Sequence, residues 1–338
     1  MPSQIAHALF ADSLIAALSV SGGILKEDRY HRYLGAQGPD MFLHNHRRRP
    51  RGIYYGTILH RKGIAGVVSQ ISPSVHGNDH LLAYLLGWIS HVFLDRAAHP
   101  YINFHSGWHG VPDSDPERRH MHAFLERIID VQILWRNSRV TPDRFGFYDF
   151  LRPCQEIPEY LLHALVASLR RELNAARIDD EIEHRIKNAY LDMMGFYAFT
   201  DHPPRRYFRE ARRRERNGDL AGRWLSIIHP PHEWIPFDAL NSDRRWWRHP
   251  CREGASSNLS FLDLWNEGLS RATVPAKTLL SIWRDGPDPV LVKRLYAEIG
   301  EENLNDGIST DTGCVRTYAE PLPLLSLYKR IKTGLDVE

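Results

Sequence analysis

The chain has 338 residues, of which 43% are hydrophobic, 11% aromatic and 25% charged, and its formal net charge is +2. That is an ordinary composition for a globular protein with material for a sizeable core. The near-neutral charge gives no global reason to expect nucleic acid or an anionic membrane as partner, and no run approaches the roughly 20 apolar residues of a membrane span.

Helical periodicity dominates the chain in order. Residues 4–20 carry apolar positions at helical spacing and end at Ser21-Gly22-Gly23. Without a basic leader, and with His7 and Asp12 inside it, this stretch reads as a structural helix and not a signal peptide. "YLGAQGPDMFLHNHRRRPRG" reads as a loop, and a short helix is expected over 55–71, before Pro73. A long helix over 79–98 is expected to end at His99-Pro100, because proline disfavours helix at the residue before it. Asp115 as cap and Pro116 as first residue open the next one. Further helices are expected at 156–176, 179–199 and 204–217. After residue 220 come proline- and aromatic-rich loops, including "RRWWRHP", where one of the adjacent Trp246 and Trp247 should point outward. "SFLDLWNEGLSRA" adds an amphipathic helix capped by Ser260. No stretch sustains period-two alternation, so strands are absent or minor. The fold class is all-α, with a helical domain over 1–272 and a less regular extension over 273–338 packing on it.

Three cysteines, Cys154, Cys251 and Cys314, are far apart and odd in number. They read as free thiols, which fits a reducing, cytoplasmic location. The basic runs "HRRRPR" at 46–51 and "REARRRER" at 209–216 read as solvated surface.

Histidine carries the chemical signal. Thirteen of nineteen lie in the first 122 residues. His91, Asp95 and His99 form HxxxDxxxH, and His122 with Glu126 forms HxxxE. At i and i+4 such side chains share a helix face. Imidazole and carboxylate are the ligands zinc takes when thiolates are absent. One shared group of divalent cations would satisfy residues that otherwise each need a separate buried partner. His105 and His109, past Pro100, read as rim or surface, and Trp88 and Trp108 as core or wall.

In chain order, His7, "GAQGPD" with Asp40, "LHRKG" with His60, "GWISHVFLDRAAHPYINF", the HxxxE pair, "WWRHP" and "SFLDLWNEGL" resemble the zinc-dependent phospholipase C family. Its wider superfamily includes single-strand nucleases with 3′-nucleotidase activity. The resemblance runs through residues 1–127 and extends to about 272. It implies a multi-helix bundle with a multinuclear zinc cleft holding two or three ions. Asp40, His60, His91 and Asp95 would hold the first ion, and His99, His122 and Glu126 the second. His7 would hold the third, bridged by Asp95, with Asp40 as general base for water attacking a phosphoester through zinc-bound hydroxide. The sequence departs from that pattern in two places. The gap between Asp95 and His99 is shorter than in secreted relatives, and no N-terminal Trp supplies a terminal ligand. The expected partner is a phosphoester, with phospholipid one candidate; no stable nucleic-acid complex and no transmembrane segment are expected. Two alternatives stay open: a nuclease or nucleotidase on the same scaffold, which would use aromatic side chains to stack bases, and a metal-stabilised helical protein without turnover.

Overall fold

The computed structural model describes residues 4–18, 27–107, 120–173, 180–201, 204–216, 223–308 and 317–334. Among these the protein is all-α. The helices are α1 (Gln4–Ala17), α2 (Arg29–Ala36), α3 (Asp40–Leu43), α4 (Ile53–Leu59), α5 (Ile64–Ile71), α6 (Asp79–Ser106), α7 (Met121–Ser138), α8 (Pro142–Phe145), α9 (Phe147–Leu151), α10 (Glu159–Glu172), α11 (Ile182–Thr200), α12 (Pro204–Arg216), α13 (Arg223–Ser226), α14 (Phe261–Asp285), α15 (Pro289–Ile299) and α16 (Leu324–Thr333). One antiparallel ladder, pairing Trp247 with Ser257 and Arg248 with Ser256, is the strand content of the described residues. Trp247 is buried and Trp246 points to solvent, as adjacent residues on an extended segment must.

Helix α6 is the axis of the molecule. It is apolar all round, and nearly every side chain from Leu81 to Ser106 is buried, the pattern of a helix surrounded by others. Helices α1, α2 and α14 pack along it. Its crossing with α2 depends on two glycines. A Cβ on Gly87 would lie 2.2 Å from the Arg32 carbonyl, and one on Gly35 would lie 1.9 Å from that of Tyr84. No side chain fits between these backbones.

Several boundaries differ from expectation, each for a local reason. Helix α6 does not stop at Pro100 but runs to Gly107, a left-handed cap. The missing proline N–H leaves the Arg96 carbonyl without its helical partner, and Gly307 packs so closely there that a Cβ would lie 2.9 Å away. His105 therefore sits on α6, against Tyr101 and Phe104 and not on a loop, and burial pulls its pKa down to about 4. The stretch 55–71 splits into α4 and α5 at Gly63, whose φ is +81°. Part of the expected loop over 33–52 is helical, because Asp28 caps α2. Helix α14 is opened by a capping box between Ser260 and Asp263 and runs unbroken through residues 272 and 273, so the boundary expected there falls inside a helix. Trp88 is core. Asp115, Pro116, Trp108, His109 and Cys314 lie outside the described residues.

The cysteines correct another expectation. Cys154 is free, but Cys251 is disulfide-bonded. No CxxC or other local cysteine spacing in the sequence signals that bond. The basic runs are largely solvated as expected, with Arg47, Arg48, Arg49, Arg51, Arg209 and Arg213 exposed, and some of their groups also contact the protein. Asp192 takes the backbone N–H groups of Arg47 and Arg48 and pairs with the Arg48 guanidinium at 2.7 Å. Arg212 donates to the Ile331 carbonyl near the end of α16, and Arg213 and Arg214 pair with Glu210. No described helix is long and apolar enough to cross a membrane.

Candidate metal centre

Five segments deliver ligands to one place, and local rules explain each delivery. His91, Asp95 and His99 are four apart on α6 and share a face. Glu126 and His122 do the same on α7, with His122 Nε2 3.1 Å from Glu126 Oε1. The register is the expected one: His120 sits at the helix N-cap and His122 turns toward Glu126. Asp40 opens α3 directly after a tight turn. That turn needs Gly38, whose φ is +51° and whose Cβ would fall 2.7 Å from the His91 ring. His60 stands at the C-cap of α4, where the chain leaves the helix.

His7 comes from α1, whose N-terminal end is anchored to α7. Asp130 accepts from Ala6 N at 2.7 Å and from Ile5 N at 3.4 Å, and His229 Nε2 contacts it at 2.9 Å. A carboxylate at a helix N-terminus satisfies otherwise unpaired donors there. Neither Asp130 nor His229 carried a sequence signal.

The ligand atoms converge. His60 Nε2 lies 2.9 Å from Asp40 Oδ1, and His91 Nε2 lies 3.6 Å from Asp40 Oδ2 and 3.1 Å from Asp95 Oδ2. His7 Nε2 lies 3.2 Å from Asp95 Oδ1, and its ring stacks on His91 with centroids 4.3 Å apart. His99 Nε2 lies 3.7 Å from Asp95 Oδ1 and 3.4 Å from Glu126 Oε1, which joins the two groups. All eight residues expected from the sequence are therefore brought together. Three sets are each compact enough to surround one ion: His7, His91 and Asp95; Asp40, His60 and His91; His99, His122 and Glu126.

Proximity alone would also describe a hydrogen-bonded cluster, but the proton count argues otherwise. His60 Nδ1 faces the Gly56 carbonyl at 2.7 Å, His91 Nδ1 that of Ala36 at 3.0 Å, and His99 Nδ1 that of Leu304 at 2.5 Å. A carbonyl only accepts, so each Nδ1 carries the ring proton and each neutral ring turns an Nε2 lone pair on the carboxylates. Acceptor then faces acceptor. His91 Nε2, Asp40 Oδ2 and Asp95 Oδ2 are buried without a hydrogen bond despite these short distances, and in the second group Glu126 Oε2 is also buried without one. Several such atoms converging on one point call for a cation between them, and a backbone partner behind each ring is the usual outer shell of a metal-bound histidine. The residues fit the group.

Without a metal, protons are the substitute. Burial opposes charge on His99, but Asp95 and Glu126 outweigh it and push its pKa up to about 9. Burial likewise opposes charge on His91, and Asp95 and Asp40 again raise it. Burial works to raise Asp95, yet His91, His99 and His7 hold its carboxyl well below the usual range. Glu126 is lowered in the same way, against burial, by His122 and His99. On His122 burial prevails and lowers the pKa, partly offset by Glu126.

No side-chain pattern pointed to the backbone that supports these rings. Leu304 accepts from His99 and donates its N–H to the His60 carbonyl at 2.7 Å. Arg96 holds this loop by donating to the carbonyls of Ile299, Gly300 and Glu302. Residues assigned from the sequence to a C-terminal extension thus form part of the centre's surroundings. A second group, Asp28, His31 and His80, also went unnoticed. Its only local trace is the i, i+3 pair of Asp28 and His31, with His80 distant in sequence.

Compared with known families, curated proteins and solved structures, the chain matches none.

Proposed function

We propose that this chain is a zinc-dependent phosphoric ester hydrolase of the phospholipase C type. The observation that carries the reading is the buried set of eight ligands, met in chain order and left with unpartnered nitrogen and oxygen atoms aimed at common points. Imidazole and carboxylate without thiolate form a donor set suited to zinc. Asp40, His60, His91 and Asp95 would hold one ion, His99, His122 and Glu126 a second, and His7 with Asp95 a third. Bound there, divalent cations lower the pKa of water toward about 7 and neutralise charge developing on a phosphoryl group.

The chain's own groups supply the rest. Asp40 Oδ2 has no hydrogen-bond partner, so it can accept a proton while Oδ1 stays beside His60. The Gly38 turn and the short helix α3 hold that carboxylate in place. His122 is the most exposed of the paired ligands, with 16% of its side chain accessible, so substrate would approach along the α7 edge.

A second reading has its own support. His91, Asp40 and Asp95 are almost wholly buried, as ligands of a closed structural site would be. That reading is a metal-stabilised helical protein without turnover.

Metal analysis of the purified protein, followed by assay on lipid phosphodiesters, oligonucleotides and phosphomonoesters, separates these readings. The hydrolase reading expects two or three zinc ions and turnover of at least one class. It also expects Asp40→Asn, assayed at saturating zinc with metal content measured in the same sample, to lose on the order of 10²–10⁴-fold in rate. Near-normal turnover by that variant would remove the base assignment. Stoichiometric metal with no turnover on any phosphoester would favour the structural reading.

A further inference from the structure

Outside the buried centre, Asp28, His31 and His80 form a second group of nitrogen and oxygen donors. Asp28 is the N-cap of α2, and its Oδ1 accepts from the His31 backbone N–H at 3.2 Å. His31 Nδ1 lies 2.7 Å from Asp28 Oδ2, and His80 Nδ1, from the first turn of α6, lies 2.5 Å from the same oxygen. The two imidazoles are tilted against each other, with centroids 4.5 Å apart and planes 32° apart, and both Nδ1 atoms aim at the same carboxylate oxygen. Behind the His31 ring, the Tyr160 hydroxyl from α10 contacts Nε2.

From these positions we propose a separate surface site for a divalent transition-metal cation of the zinc type, with Asp28, His31 and His80 as ligands. In a tetrahedral zinc site with metal–ligand distances of about 2.0–2.1 Å, ligand atoms stand roughly 3.3 Å apart. Both nitrogens lie closer than that to Asp28 Oδ2, drawn in by hydrogen bonds to one carboxylate. The His80 contact must open by about 0.8 Å and the His31 contact by about 0.6 Å; the larger shift falls to His80, whose side chain is 60% exposed and free to turn, and the smaller needs only a slight rotation of the Asp28 carboxylate. His31 and Asp28 are already oriented, one by Tyr160 and the other by its capping role. With Nδ1 on a metal, His31 would donate Nε2–H to the Tyr160 hydroxyl, the outer-shell contact that orients a ligating ring. Three protein ligands leave the fourth position to water. The site would tie the starts of α2 and α6 together, with α10 behind them. Eleven residues separate His80 from His91, about 16 Å along the helix axis, so this ion would not share ligands with the buried centre.

The test is zinc stoichiometry by equilibrium dialysis on the full chain after removal of metal with a chelator. His80→Ala should bind one equivalent fewer than the wild type, with the remaining equivalents unchanged. Tyr160→Phe should weaken that same equivalent about 10- to 100-fold while retaining it. Added zinc should raise the thermal midpoint of the wild type more than that of His80→Ala. Because His80 is exposed, its removal should leave the metal-free midpoint near that of the wild type, which checks that the variant is folded. Equal stoichiometry and equal zinc-induced shifts in the wild type, His80→Ala and a second variant, Asp28→Asn, would overturn the proposal and leave a hydrogen-bonded triad only.

Discussion

The two histidine groups on α6 use the same side chains in opposite ways. In the buried centre, the Nδ1 of His60, His91 and His99 is committed to a backbone carbonyl, so Nε2 faces the carboxylates and either a cation or a second ring proton must stand between them. At the surface, Nδ1 of His31 and His80 itself faces the carboxylate, and donors meet acceptors. The first arrangement leaves buried atoms unsatisfied and the second leaves none of its atoms so. Clustering of histidine and aspartate is therefore a weak indicator of a metal by itself. Which ring nitrogen the backbone has already claimed is the stronger one, because it decides whether the cluster can close on itself.

The comparison breaks first at His91. This residue is fully buried and stands between Asp40 and Asp95. His91→Ala should remove at least one metal equivalent and leave two carboxylates facing each other. Removing one partner from a buried charged group typically costs about 3–5 kcal/mol, so the metal-free variant should show a large drop in denaturant midpoint. A variant that kept both wild-type stability and wild-type metal content would mean the unpartnered atoms carry no information.

Proton release is a second point of attack. His99 has its pKa raised to about 9, so in the metal-free protein at pH 7 it carries a proton that an incoming cation must displace. Apparent zinc affinity should rise with pH, about tenfold per unit for each proton displaced, and level off above pH 9. The same raised pKa contributes stability to the metal-free fold that is complete below pH 6.5 and is lost as pH rises through about 9. Calorimetry at pH 7 in buffers of different ionisation enthalpy should register at least one proton released on binding at the buried centre. Zero release would mean the rings are already neutral and the centre is held together in some other way.

How much of this could be read beforehand depended on sequence distance. The pairs on α6 and α7 were legible because i, i+4 spacing on a helix is a geometric statement. Asp40, His60 and His7 were reached only through a resemblance in chain order, since nothing local ties a turn residue or a helix C-cap to a face of another helix. Pro100 misled: a proline rule ended α6 about two turns too early, because the loop that packs Gly307 beside the Arg96 carbonyl comes two hundred residues later. Leu304 was invisible for the same reason, as it acts through its backbone, which no side-chain pattern encodes. The Cys251 disulfide and the union of His80 with Asp28 also depend on tertiary contact. The all-α class survived these errors because it rests on periodicity summed over many segments.

Asp201 sharpens the contrast between carboxylates with and without histidine neighbours. Asp95 lies among histidines and its pKa is held down, whereas Asp201 has the Tyr148 N–H as its hydrogen-bond donor, and burial, reinforced by Asp149, pushes it up to about 7. A carboxyl raised on folding contributes stability below its unfolded pKa, near 4, that is lost as pH rises through about 7. Asp201→Asn keeps an acceptor for Tyr148 but cannot ionise. It should therefore be more stable than the wild type at pH 8, on the order of 1 kcal/mol after allowing for partial exposure, and close to it at pH 4. Parallel pH dependence in the two proteins would show that Asp201 is solvated enough to stay ionised.

The smallest effect belongs to His80 in the metal-free protein. Its ring is mostly exposed, and its contact with Asp28 is one of two made by the same carboxylate oxygen. An exposed ion pair or hydrogen bond of this kind is worth about 0.2–1 kcal/mol, and Asp28 keeps His31 and its capping contact when His80 is gone. His80→Ala without metal should therefore shift the denaturant midpoint by a few tenths of a kcal/mol, roughly a tenth of the His91→Ala effect. That ratio tests the comparison most directly, since both substitutions remove one imidazole from a carboxylate on the same helix. If the two cost the same, burial and proton placement do not distinguish the groups. If His80→Ala is nearly silent without zinc, any larger effect that appears when zinc is added belongs to the ion and not to the hydrogen bonds it replaces.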